Sequence, residues 1–480
     1  MSERLRPRDV ALLADESASA PMHNATVEIF DPGKSGFDYP ELVRLVQERI
    51  SFVPRYRQRI QTVPGRIANP VWVDDDHFDL GYHVRRSALP RPGSLDQLRE
   101  LVARIVSRPL DRSRPLWEIY FVEGLADGQV ALLSKSHQVL VDGMHTVDLG
   151  QVLLDTSAEP KELGGDEWHA RGRPSPFSLM TGAVHDSLTR RGTLTDTARS
   201  TTGGVLRRAA GAARSAGRVA DALTNRTPSP ESPIIGPLSQ QRRVVTVRTD
   251  LADYRKIREA HGGTVNDVIL ATVTGALRSW LMTRGESMRG IREVRAVVPI
   301  SVIDDEMEAT AMGSQIAAHF VDLPVAEASP VVRLHQVSYS FQADKDSGRA
   351  VAANRLTSIS GFAPATFHAI GSRVAARERR SYQLNVTNVP GPQAPLYAAG
   401  ARMVQTYPVP PLLEGHPLAI GVTSYDGHVY YGMTADRDML PDADLLGPCL
   451  REALDELVDS ASGGRARAPR GRRRRKVPTE

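Results

Sequence analysis

A single cysteine, Cys449, stands in the 480 residues. One thiol excludes a disulfide framework and a cysteine-based zinc site, and nothing around it marks a catalytic thiol, so a reducing, cytoplasmic compartment is the expectation. Long apolar runs are missing too. No stretch approaches the roughly 18 apolar residues of a membrane span, and the opening Met1-Ser2-Glu3-Arg4-Leu5-Arg6 lacks the apolar run of a signal peptide. Any membrane contact is therefore expected to be peripheral. Metal-binding and nucleotide-binding motifs are absent, and the basic C-terminus carries no interleaved aromatics of the kind that would favour nucleic acid.

What the chain does have is apolar content and length. At 41% hydrophobic residues over 480 positions it can bury large cores, and its size suits two or three domains, of which two fit the motifs better. The net charge of +4 is unevenly placed. Residues 463–480 hold eight basic side chains against the single acid Glu480, which leaves about −3 on the rest. That Arg/Gly/Ala/Pro-rich tail has no apolar periodicity and is expected to be disordered. It would attract anionic lipid head groups, bind nucleic acid non-specifically, or simply stay solvated.

Alternating short apolar strands and helical patterns predict an α/β chain. Val27–Phe30 reads as a strand and Leu42–Val46 has helical spacing. The segment from Pro115 to Gly124 reads as a strand entering a turn at Leu125-Ala126-Asp127-Gly128. A second strand, Gln129–Lys135, leads into the loop Ser136-His137-Gln138-Val139-Leu140-Val141-Asp142-Gly143. Residues His145–Leu154 then read as a helix whose first turn Asp142 would cap. A basic, weakly helical stretch follows, and Thr227-Pro228-Ser229-Pro230-Glu231-Ser232-Pro233 closes it. Beyond it a second α/β unit is predicted, with strands at 243–247 and 294–302, a long apolar helix from Asn266 to Leu281, and a hairpin turning at Asp426-Gly427. The expected division is 1–160, a basic helical linker 161–235, a second domain 236–462 and the tail 463–480.

The loop at 136–143 comes close to the His-x-x-x-Asp-Gly signature of coenzyme A-dependent acyltransferases, in which the histidine four residues before the aspartate is the general base. Here that position is Gln138. Neutral imidazole accepts a hydroxyl proton at neutral pH and a carboxamide does not, a difference usually worth about 10²–10⁴ in rate. None of the 13 histidines has Asp or Glu four residues downstream, so the signature has not moved elsewhere. His137 would point to the opposite face if strand geometry continues, unless a bulge re-aims it. His145, in the first turn of the following helix, is the other imidazole nearby. Asp142 braces the turn, and Gly143 would supply a backbone angle barred to other residues.

Seven collinear blocks give this loop its context. Arg6-Pro7-Arg8-Asp9 with Pro21-Met22-His23, Pro115-Leu116-Trp117, the 135–143 loop, Asn266-Asp267, Val298-Pro299-Ile300-Ser301-Val302, Asn388-Val389-Pro390-Gly391-Pro392 and Tyr407-Pro408-Val409-Pro410-Pro411 together resemble the bacterial wax ester synthase/diacylglycerol acyltransferase family. The resemblance spans nearly all of residues 3–460. It implies two chloramphenicol acetyltransferase-like domains with a tunnel between them, transfer of a fatty acyl group from acyl-CoA to diacylglycerol or a long-chain alcohol, and peripheral association with membranes or lipid inclusions. By position it places Gln138 in the base slot, His137 as an accessory histidine and Asp142-Gly143 as the structural turn. Asn266 and Asp267 would face the substrate, joined by Trp117, although Asn266 as a helix cap and Trp117 as core stay open. Ser314, in Met312-Gly313-Ser314-Gln315, stands where relatives carry asparagine.

Three readings follow. One is a working O-acyltransferase in which His137, or a water held by Gln138, replaces the base. Another is an impaired paralogue that binds acyl-CoA or neutral lipid without turning it over. The third is a transferase for another hydroxyl acceptor, such as a polyketide or glycolipid. Acyl-CoA is the only cosubstrate implied.

Overall fold

A computed structural model describes residues 3–33, 35–140, 149–159, 168–172, 175, 177–181, 232–286, 290–302, 315–346, 364–377 and 382–463. Asp142, Gly143, His145, Ser314, most of the expected linker and all but the first residue of the expected tail lie outside them.

Fourteen strands are described: β1 (His23–Asp31), β2 (Gln58–Gln61), β3 (Val71–Asp74), β4 (Val84–Ala88), β5 (Trp117–Glu123), β6 (Val130–His137), β7 (Arg242–Asp250), β8 (Val294–Val302), β9 (Gln315–Leu323), β10 (Leu384–Val389), β11 (Tyr397–Ala398), β12 (Ala401–Val409), β13 (Leu418–Tyr425) and β14 (His428–Asp436). They build two six-stranded sheets, β11-β12-β1-β6-β5-β4 and β7-β14-β13-β10-β8-β9, and a ribbon of β2 and β3. Both large sheets are mixed: β4 runs parallel to β5, and β10 runs parallel to β8 and β13.

The expected turns are present and have the backbone their sequences demand. Asp426 and Gly427 both take positive φ, 44° and 77°, between β13 and β14, the two-residue hairpin geometry that matches strand twist. Asp127 and Gly128 also take positive φ, 58° and 70°, within the longer turn of residues 124–129 between β5 and β6.

Sheet membership does not follow chain order. Strands β11 and β12 lie between β10 and β13 in sequence, yet β12 leaves the second sheet and pairs antiparallel with β1 in the first. Pro408 then crosses over the second sheet so closely that a Cβ on Gly432 would lie 1.6 Å from its carbonyl oxygen. Only glycine tolerates that approach. Tyr425, Tyr430 and Val244, from the second half, accordingly lie in the core of the first.

Each half has its own helices. Val265–Thr283 is the central one of the second half and is buried on most of its circumference from Asp267 to Leu281. In the first half, Leu95–Val106 starts in a Ser94–Gln97 capping box. Its last turn would leave carbonyls without intrahelical partners. Lys135 Nζ donates to the carbonyls of Ile105 and Arg108, at 3.2 and 2.5 Å, and the His23 ring meets that of Val106 at 2.9 Å. The ends of β1 and β6 are thereby pinned to this helix.

Candidate active site

β6 sits between β1 and β5 and runs as a regular strand to His137, which lies directly opposite His23. The His137 N–H donates to the Leu116 carbonyl and the Gln138 N–H to the Met22 carbonyl, both at 2.9 Å. The chain then leaves the ladder in a 3₁₀ turn, Gln138–Leu140, all three residues being buried.

Strand alternation gives His137 the face it shares with Lys135 and His23, toward the end of the helix Leu95–Val106. Its Nδ1 accepts from the Val139 backbone N–H at 3.0 Å, which leaves the ring proton on Nε2, 3.6 Å from Oε2 of Glu16. Glu16 also pairs with Arg112 and accepts from the Met22 N–H at 3.1 Å. Burial opposes ionisation of this carboxyl, but His137 and Arg112 outweigh it and hold its pKa at about 2. Glu16 was not foreseen: no motif marks it, and only the packing of Pro7–Asp15 beside the turn brings it to His137. Across the ladder, burial first and the Lys135 charge second keep His23 well below the usual histidine range. Burial likewise brings Lys135 down to about 8, against the opposing charge of Glu118.

Gln138 is fully buried, and neither its Oε1 nor its Nε2 meets a hydrogen-bond partner among the described residues. Its backbone carbonyl accepts from Arg373, on the helix Pro364–Arg377 of the second half, at 3.2 Å. The turn is therefore held from both halves through its backbone. The His137 imidazole is thus held between the Val139 N–H and Glu16, on the face it shares with Lys135 and His23.

Other expected site residues have structural partners. Trp117 is buried in the core, donates its indole N–H to the Tyr56 carbonyl at 2.7 Å and stacks on His83 at 4.6 Å. Asp267 accepts from the Thr264 N–H at 2.8 Å and from Ser338 Oγ at 3.1 Å. It closes a capping box on Thr264. That carboxylate thus braces the helix start. Asn266 is half-buried and is not the cap; its Oδ1 accepts from Nδ2 of Asn388 at 2.9 Å. Two of the sequence blocks thus meet in one hydrogen bond.

A small cavity of about 10 Å³, room for about one water, lies where the halves join. His23 and Val106 line it from one side, Arg242, Pro410 and Thr434 from the other. His23 Nδ1 and Thr434 Oγ1 have no partner among the described residues.

Comparisons with known proteins agree with this architecture. The model of the wax ester synthase/diacylglycerol acyltransferase catalytic domain matches residues 5–269, and that of the family's C-terminal domain matches residues 312–458. A probable diacylglycerol O-acyltransferase of Mycobacterium tuberculosis, tgs2, is 31% identical over 461 residues, covering 94% of this chain and 98% of that protein. A second from the same organism, tgs1, is 32% identical over 423 residues, 88% of each chain. Among solved structures, the wax ester synthase/diacylglycerol acyltransferase of Marinobacter aquaeolei superposes with a TM-score of 0.68 at 24% identity, over 96% of this chain and 100% of that one. The first condensation domain of the CDA synthetase shares the fold more distantly, with a TM-score of 0.52 at 13% identity over 96% of each. With a family model over more than half its length and relatives matched nearly end to end, the chain belongs to the wax ester synthase/diacylglycerol acyltransferase family.

Proposed function

We propose that this chain is an acyl-CoA-dependent O-acyltransferase that moves a fatty acyl group to diacylglycerol or a long-chain alcohol, giving triacylglycerol or wax ester. Relatives named as diacylglycerol O-acyltransferases and matched along almost the whole chain support the activity. One observation at the site carries the reading: the Gln138 amide is fully buried and neither of its polar atoms meets a partner among the described residues. Leaving such a group unpaired costs about 1–3 kcal/mol, which a bound hydroxyl or water offsets.

In the reaction the acceptor oxygen forms a bond to the thioester carbonyl carbon, the carbon–sulfur bond breaks, and the hydroxyl proton ends on the departing thiol of coenzyme A. Gln138 Oε1 accepts a hydrogen bond from the acceptor hydroxyl, or from a water beside it, and so orients the nucleophile. It cannot remove the proton. Proximity and stabilisation of the developing oxyanion act without a base, so turnover is slow rather than absent. Asp142-Gly143 keeps the role of a structural turn in this reading.

The fixed position of His137 favours a second reading, a protein that holds acyl-CoA or neutral lipid without transfer. Release of coenzyme A from palmitoyl-CoA, followed with diacylglycerol and with a fatty alcohol, separates the two. Acceptor-dependent release supports transfer; saturable acyl-CoA binding with no release above the acceptor-free rate overturns it. Peripheral contact with a membrane or lipid inclusion is part of the proposal. Among the described residues no helix is long and apolar enough to cross a membrane, and the Arg-rich end of the sequence suits anionic head groups.

A further inference from the structure

We infer that Arg373 and Asp9 form a clamp between the two halves that positions the Gln138 turn for acyl transfer. The inference rests on the acyltransferase reading. At Gln138 the chain leaves the sheet: its N–H still bonds the Met22 carbonyl, the last contact on that side before β1 begins at His23, and its carbonyl has no strand to pair with. A buried carbonyl needs a donor. The donor comes from far along the chain, as Nη1 of Arg373 reaches the Gln138 carbonyl at 3.2 Å from the helix Pro364–Arg377.

A guanidinium buried this deeply needs a counter-charge. Nη2 of Arg373 pairs with Oδ1 of Asp9, and both side chains are almost wholly buried, 8% and 6% exposed. Asp9 lies in the first turn of Pro7–Asp15, where the helix dipole favours a carboxylate. The guanidinium fork thus joins three segments: the opening helix, the Gln138 turn and the helix Pro364–Arg377. Lysine, with a single ammonium, would not span carboxylate and carbonyl with the same fixed geometry. Leu12, Met22, Ala375 and Ala376, close in sequence to the clamp residues and the turn, join Val297 and Leu413 in a small buried apolar cluster shared by both halves. The opening Arg6-Pro7-Arg8-Asp9 block acquires a role by this route: Asp9 holds the arginine that holds the turn.

Arg373 touches the backbone of Gln138 and not its amide, so it acts as a positioning residue. Moving the turn by about 1 Å displaces the Gln138 amide from the acceptor hydroxyl, a misplacement that can cost about 10²-fold in rate. The test uses the full chain with Arg373→Gln, Arg373→Lys and Asp9→Asn, and reads hydrogen exchange and coenzyme A release from palmitoyl-CoA. Expected in Arg373→Gln and Asp9→Asn is exchange about tenfold faster in peptides covering 138–140 and 7–15, with little change in the second sheet. Their kcat should fall by about 10²-fold with KM for palmitoyl-CoA nearly unchanged. Arg373→Lys should recover part of the loss, since it keeps the charge opposite Asp9. If Arg373→Gln does not fold, Asp9→Asn and Arg373→Lys carry the test.

Unchanged exchange at 138–140 overturns the inference. So does exchange that rises throughout the protein, or a loosened turn with unchanged kcat. Should the wild type release no coenzyme A with any acceptor, the acyltransferase reading falls, and hydrogen exchange alone decides whether the clamp holds the turn.

Discussion

The carboxamides of Asn388 and Asn266 share a hydrogen bond of 2.9 Å, Nδ2 of the first donating to Oδ1 of the second, which ties the end of β10 to the first turn of Val265–Thr283. Replacing either by alanine leaves the other half-buried amide short of a partner. Each single variant should lose about 1 kcal/mol of stability, and the double variant little more than either alone. Denaturant unfolding of the four proteins in a double-mutant cycle measures this, and strict additivity would show that the pair is not coupled.

Gln138→His should raise acyl transfer by about 10²-fold or more, because it returns a proton acceptor to a turn otherwise held in place. Acceptor-dependent coenzyme A release reads it directly. No gain would mean that the surroundings of the amide no longer suit a base.

His137→Ala should act on stability more than on chemistry. The ring accepts from the Val139 N–H and faces Glu16, so its removal leaves a buried donor unpaired, at a cost of about 1–3 kcal/mol. Turnover of the folded fraction should stay within about tenfold of wild type, well short of losing a general base. Abolished turnover at an unchanged melting temperature would return this imidazole to the mechanism.

Acid should find Glu16. Its carboxyl is held at about 2 in the folded protein against an ordinary 4.5, so it contributes stability above pH 4.5 that is lost as pH falls toward 2. Glu16→Gln should melt below wild type at neutral pH and converge with it toward pH 2. Parallel melting curves across that window would show that the carboxylate is not stabilised by its neighbours.

Gly432→Ala should disrupt the crossing of the two sheets. The added Cβ would meet the Pro408 carbonyl oxygen at 1.6 Å, and neither backbone can yield without breaking a ladder. A loss of about 3 kcal/mol or more is expected, seen as a fall in soluble yield and melting temperature. A normal melt would mean that β12 lies differently over β14.

Much of the local structure was legible before any coordinates. The helix predicted from Asn266 to Leu281 runs from Val265 to Thr283, the strand predicted over 294–302 is β8, and the Asp426-Gly427 hairpin has the backbone its residues favour. Regular pairing of β6 up to His137 gives that side chain the face that strand alternation assigns it. Sequence spacing left open what depends on partners. Asn266 pairs with Asn388 while Thr264 caps the helix, and Trp117 is core, its indole N–H committed to a carbonyl in another segment. Asp142 and Gly143 fall outside the described residues, so their expected roles rest on the motif alone.

By itself the sequence determined the strand and helix periods, the tight turns, the family and the absence of imidazole at position 138, since each is a matter of residue type at fixed spacing along one stretch of chain. Tertiary structure alone decided that Ala401–Val409 joins the sheet begun by His23–Asp31, that Glu16 takes the His137 ring and that Arg373 reaches the Gln138 carbonyl. The reason is physical. A strand edge, a buried carboxylate and an orphaned carbonyl each need a partner, and which distant residue supplies it depends on how the faces pack.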